Sequence, residues 1–256
     1  MTESTGNLFE ELSDADRARL AGVSDIHIHA APDSKARLLT ETEVARDARA
    51  AGMLGVLFKG NDFATHDRAF LIGAEVPGIE VAGGVVMNCC VGERVNPEAV
   101  RFALMTTGSR CRSVWMPTLD ALYTAGAGIS PHSGRRAIPV LDDRGRVLPE
   151  VEEVMRFCAE SQVIFASGHS SPDETLILAR RARELGVAKF VATHVNSSVW
   201  RRTLPQMKAL LEAGAWLELS ALALLWGPGT GLPGFERQKG DEFAAMAALA
   251  PERTFI

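Results

Sequence analysis

Short apolar runs alternate with helix-period segments along almost the whole chain, and this alternation restricts the possible folds more than any other feature. Strands are read at 23–29 (VSDIHIH), 53–59 (MLGVLFK), 79–87 (IEVAGGVVM), 112–116 (RSVWM), 162–167 (QVIFAS), 188–193 (AKFVAT) and 215–221 (AWLELSA), with Thr254-Phe255-Ile256 as the start of an eighth. Near-continuous apolar runs of this length mark strands buried on both faces, and helical stretches between them predict a parallel sheet wrapped in helices. Seven or eight such units in 256 residues predict an α/β protein of the TIM-type (β/α)8 barrel class, one domain over 23–256. Residues 1–22 are read as a leader helix whose Leu8, Phe9, Leu12 and Leu20 form an apolar side that packs on the barrel.

Several helices carry their own start and stop signals. Thr40 with Glu43 makes a capping box, and Ser171-Pro172-Asp173-Glu174 combines an N-cap, a proline at the first helical position and a glutamate at N3. That second helix runs to Leu185, with Gly186 as its left-handed stop; Asn96-Pro97-Glu98 opens another, and Gly214 closes one that begins near Pro205. One connection breaks the rhythm. Residues at about 117–148 are Gly- and Pro-rich and include a hairpin turning at Asp142–Gly145, a length that suits a functional lid after strand four.

The formal charge of −5 and the acidic pI of about 5.7 argue against nucleic acid or an anionic membrane as partner. Cys89, Cys90, Cys111 and Cys158 show no Cys-x-x-Cys spacing, and reduced thiols in a cytoplasmic protein fit them best. The acid-bearing N-terminus has no apolar segment of signal-peptide length, and no run reaches the roughly 18 apolar residues of a membrane span. A small-molecule substrate is therefore the expected partner, and association into a homo-oligomer is compatible with a barrel of this kind.

Active sites of such barrels lie at the C-terminal ends of the strands, so polar residues there carry the functional information. Strand one ends in Asp25-Ile26-His27-Ile28-His29, and side chains at i and i+2 share a face, which sends both imidazoles to the barrel mouth. Strand five ends in Gly168-His169 and strand six in Thr193-His194, so four of the six histidines end strands. Converging imidazoles suit a divalent first-row metal, with zinc the default and Mn²⁺ or Fe²⁺ the alternatives. A metal with open coordination positions lowers the pKa of bound water toward ~7 and polarises a carbonyl or phosphoryl oxygen.

Other strand-end and loop residues have more than one reading. Asp25 either orients an imidazole or makes a structural hydrogen bond low in the barrel, and Asp33 either forms a turn or takes part in the chemistry. Lys59, ending strand two, is an anchor for an anionic substrate, a carbamylated bridging ligand, or half of an ion pair with Glu80 or Glu218. Arg37, His66, Arg68 and Arg94 on loops, and His132 in the lid, are candidates for a substrate-binding rim.

The strand-one Asp-x-His-x-His, followed by His169 and His194, resembles the amidohydrolase superfamily of metal-dependent barrels. More narrowly, DIHIHAAPD, the strand-two lysine, NPEAV, VWMPT, SGHSSPDE and VATHVN resemble the amidohydrolase-like group DUF6282, over nearly the whole chain from residue 24. The resemblance implies ligation by His27, His29, His169 and His194 at one or two metal sites. It also implies a hydrolase in which a metal-bound hydroxide attacks an amide, lactam, lactone or ester of a small anionic molecule. Two departures stand out. The chain stops at Thr254-Phe255-Ile256, without the strand-eight aspartate usual in that superfamily, so a barrel truncated at strand eight is expected. Strand four, Val114-Trp115-Met116-Pro117-Thr118, holds no lysine, which leaves a metal-dependent decarboxylase or hydratase as the alternative. A non-catalytic metal- or ligand-binding barrel is the second alternative.

Overall fold

The computed structural model describes residues 13–123, 134, 136–197, 202–228 and 236–256. The strands are β1 (Ser24–Ile28), β2 (Gly55–Phe58), β3 (Glu80–Val86), β4 (Cys111–Trp115), β5 (Ile164–Ala166), β6 (Phe190–Ala192), β7 (Trp216–Glu218) and β8 (Thr254–Phe255). The helices described are α1 (Asp14–Leu20), α2 (Glu41–Ala50), α3 (His66–Glu75), α4 (Pro97–Met105), α5 (Pro149–Ser161), α6 (Pro172–Glu184), α7 (Leu204–Glu212) and α8 (Gly240–Ala247). The strands follow one another in the sheet in chain order, and every strand pair with a defined register is parallel. This is the TIM-type (β/α)8 topology expected from the sequence. The eighth strand is present as two residues, with Leu217 opposite Thr254 and Glu218 opposite Phe255.

Contacts group the chain into two compact units, Met1–Val85 with Phe102–Arg112 and Val86–Arg101 with Ser113–Ile256. In the first, Val56 and Phe58 of β2, Val81 of β3, Ala45 and Ala48 of α2, and Ala69 and Ile72 of α3 form a shared apolar core. All of β2 is buried, whereas β1 passes from exposed at Ser24 to half-buried at Ile28. Small residues on α2 and α3 let the helices lie close to the sheet. Thr65, fully buried before α3, donates to Phe58 O at 2.6 Å and accepts the Gly84 N–H at 2.9 Å, joining the ends of β2 and β3.

In the second unit Phe165 of β5 stacks on Phe190 of β6 with ring centroids 5.8 Å apart. Met155, Leu178, Met207 and Leu210 close this core from α5, α6 and α7. The expected capping boxes of α2 and α6 are both present, and α7 has a third, Thr203 with Gln206. The expected turn forms at Asp142, which accepts the Gly145 N–H and closes the bridge between Leu141 and Val147.

Some expectations shift. β5 and β7 are shorter than their apolar runs, and after β7 Ala221–Leu224 winds into a 3-10 turn. In α1 no residue is buried, and Leu20 is half-buried; Leu8, Phe9 and Leu12 lie outside the described residues. Much of the expected lid, including His132, also lies outside them. Among the described residues no helix is long and apolar enough to cross a membrane.

Candidate metal centre

The first unit carries the strand-one pair. The rings of His27 and His29 lie 5.4 Å apart at 60°, both half-buried. Between Asp25 and Ile28 the register with β2 slips: three steps along β1 answer two along β2, from Val56 to Phe58. Such irregularities re-aim side chains and break strict alternation. Asp25 is exposed, and its Oδ1 accepts the backbone N–H of His27 at 2.9 Å, so it ties down the histidine strand through the main chain.

Lys59 follows β2 and is 3% exposed, with Nζ donating to Asn61 Oδ1 at 3.3 Å and its N–H donating to Ile28 O at 2.8 Å. Glu80, one partner considered for it, instead meets Arg110 at 2.9 Å.

The arginines expected on a loop rim are engaged with acids, and Arg68, like His66, lies in the first turn of α3 rather than on a loop. Arg37 meets Asp33 at 2.6 Å, and Arg68 forks onto both oxygens of Glu41 at 2.8 Å. Burial would raise the Asp33 carboxyl, but the Arg37 guanidinium, the Lys35 N–H and Ser34 hold it below the usual carboxylate range. The hydrogen bonds that Arg68 donates to Glu41 raise its own pKa. His66 is half-buried, with Nε2 3.2 Å from Thr106 Oγ1 beyond α4; burial holds its pKa down, partly opposed by Asp67. Arg37, Arg68 and His66 thus have partners within the fold, and Arg94 pairs with Glu150 at 3.0 Å.

The second unit carries the other pair, and its backbone is more demanding. Gly168 has φ +58°, and a Cβ there would run into the Met116 carbonyl oxygen. Only glycine meets both conditions. The turn places His169, 6% exposed, so that its N–H donates to Pro117 O at 2.9 Å. His194 itself has φ +50°, uncommon for a side-chain-bearing residue, and its carbonyl accepts the Ser197 N–H at 3.0 Å. The two rings lie 5.7 Å apart at 45°. Ser167 Oγ accepts the Thr193 N–H at 3.0 Å, locking the ends of β5 and β6 together.

Glu218, the last residue of β7, is 5% exposed and places Oε1 2.9 Å from His194 Nδ1. Sequence reasoning named it only as a partner for Lys59. Its signal was a charged residue ending an apolar strand, the same signal that picked out His169 and His194. A buried carboxylate this close to an imidazole is a common companion of metal-ligating histidines. Imidazole nitrogens with a buried carboxylate are a donor set that fits a divalent first-row metal.

Known proteins bear on this arrangement. No curated protein matches the chain. A mutant form of an organophosphorus hydrolase from Deinococcus radiodurans is similar in structure, with TM-score 0.55 and 15% identity over 93% of this chain and 75% of that one. A structure described as engineered organophosphate hydrolysis from a weak promiscuous lactonase template gives TM-score 0.52 and 14% identity, over 84% and 66%. A Deinococcus radiodurans PTE-like lactonase mutant gives TM-score 0.50 and 14% identity, over 84% and 66%. At these identities the likeness is one of fold, and this chain spans about two thirds to three quarters of each neighbour's length. The family model of unknown function DUF6282 matches residues 22–218, from just before β1 to Glu218, and the chain belongs to that family.

Proposed function

We propose that the protein is a metal-dependent hydrolase in which His27, His29, His169 and His194 hold a divalent metal, most readily zinc, and Glu218 completes the site. The observation that carries this reading is the buried Glu218 carboxylate against half-buried His194 and beside His169, an arrangement common for metal-ligating histidines. In (β/α)8 enzymes the C-terminal strand ends carry the active site, which supports assigning the strand-one histidines to the same chemistry. The fold is shared with proteins named as a lactonase and an organophosphorus hydrolase, which favours a small molecule with a lactone, ester or related bond.

A bound divalent metal would supply Lewis acidity toward the substrate oxygen and acidify water. The chain's own groups do the rest. Glu218 Oε1, 2.9 Å from His194 Nδ1, holds a carboxylate against that ring. Asp25 holds the main chain of His27. Lys59, buried with its ammonium on Asn61, anchors an anionic group of the substrate. Arg37 braces the loop after β1 through Asp33, and Arg68 ties α3 to α2 through Glu41. A cytoplasmic location and a small-molecule partner belong to the same reading.

A panel of lactones and carboxylic esters, assayed with zinc-loaded and chelator-stripped protein, tests it. Hydrolysis that disappears on stripping and returns with zinc is expected. Equal turnover by the stripped protein contradicts the reading, and carbon dioxide release without addition of water points to a decarboxylase instead.

A further inference from the structure

Arg202 is 1% exposed and heads the fully buried side chains by volume. Burying a guanidinium is costly, and apolar residues of like size commonly serve stability as well or better. Its placement therefore calls for a role besides packing. Nη2 donates to Thr175 Oγ1 at 2.6 Å and to Ser170 O at 3.3 Å, while the backbone N–H donates to Val195 O at 3.0 Å. Ser170 directly follows His169, and Val195 directly follows His194. One residue thus grips the β5 loop through its side chain and the β6 loop through its main chain. Thr175 in turn donates to Ser171 O at 2.8 Å, fastening the start of α6 to the same point.

We infer that Arg202 is a positioning residue that sets the 5.7 Å spacing of the His169 and His194 rings. Burial lowers its pKa to about 10, partly opposed by Tyr123, so the guanidinium stays protonated at neutral pH. The planar fork matters as well as the charge: lysine offers a point charge on a flexible stem and does not fix two acceptors at set angles. The left-handed residues Gly168 and His194 lie beside these anchor points in the chain. A small loosening of either loop therefore passes directly to an imidazole.

This inference rests on the metal-site reading for its consequence in binding, but not for its geometry. The test compares wild type, Arg202→Lys and Leu210→Ala, the last removing a buried α7 side chain as a control for lost stability. Cobalt(II) affinity and the cobalt d–d spectrum are measured, and metal-free crystal structures are solved. Arg202→Lys is expected to weaken cobalt binding about tenfold or more, to shift the d–d bands, and to alter the ring spacing. Leu210→Ala should lose thermal stability with affinity, spectrum and spacing unchanged. Should Arg202→Lys fail to fold, Thr175→Val removes one acceptor and should show the same shifts in smaller measure. An unaltered metal-free ring spacing in both Arg202→Lys and Thr175→Val overturns the inference, as does an affinity loss that simply tracks thermal stability across all variants. If wild type binds no cobalt, the metal reading fails, and the metal-free structures alone decide on Arg202.

Discussion

The two histidine pairs are built in contrasting ways. His27 lies in β1 and His29 directly after it, two residues apart in one segment, with rings 5.4 Å apart and the His27 N–H held by Asp25. His169 and His194 come from different strands and reach a similar 5.7 Å spacing only through two left-handed residues, a Ser167 lock, Glu218 and Arg202. The first pair is inexpensive in backbone terms and sits on a half-exposed strand. The second is over-determined and more deeply buried. Perturbations of the two pairs should therefore be felt unequally.

The largest effects test whether the halves act as one. His27→Ala and His169→Ala should each reduce hydrolysis to background while the far-ultraviolet circular dichroism stays that of wild type. If only one variant loses activity, the pairs do not share the chemistry. Next come the carboxylates. Glu218→Gln should weaken zinc binding about 10- to 100-fold, read by competition with a chromogenic chelator. Asp25→Asn keeps an acceptor for the His27 N–H and should change affinity less than about tenfold; a reversed order would assign Asp25 the larger part.

Backbone strain separates the pairs further. Gly168→Ala should cost about 1–3 kcal/mol from the left-handed φ alone, with more from the collision with Met116, measured by urea denaturation. Ile26→Val beside the strand-one pair should cost only about 1 kcal/mol. The smallest effect concerns the Asp33–Arg37 pair on the loop above β1. Asp33 is held below the usual carboxylate range, so its contribution is full above the unfolded value of about 3.9 and fades as pH falls through the folded one. The gap in Tm between wild type and Asp33→Asn should be constant from about pH 5 to pH 7 and close in more acidic solution. A gap that persists in acid would remove the ion pair as its cause.

The same contrast explains what could be read from the sequence. Strand positions follow a local rule, apolar runs of strand length, and the nearness of His27 and His29 follows from their two-residue separation, so both were legible. His169 and His194 follow β5 and β6 in the turns just after the strand ends, near where the sequence put them, because a polar residue after an apolar run is also a local signal. Their fine geometry was not legible: the φ of His194, the contact that forbids a side chain at 168, and the reach of Arg202 across two loops all depend on contacts distant in sequence. Arg37 and Arg68 show the converse. As isolated basic residues on loops they resemble an anion-binding rim, and only the fold reveals that Asp33 and Glu41 already occupy them. The slip between Asp25 and Ile28 is likewise invisible to an alternation rule that assumes regular pairing.

The central claim is that both pairs hold one metal site, and zinc stoichiometry tests it most directly. Wild type, His27→Ala and His169→Ala are stripped, reloaded with zinc, desalted and analysed by plasma mass spectrometry. The account predicts one or two equivalents retained by wild type and a loss of bound zinc in each variant, although both remain folded. Wild-type zinc content in either folded variant, or none in wild type itself, would contradict it.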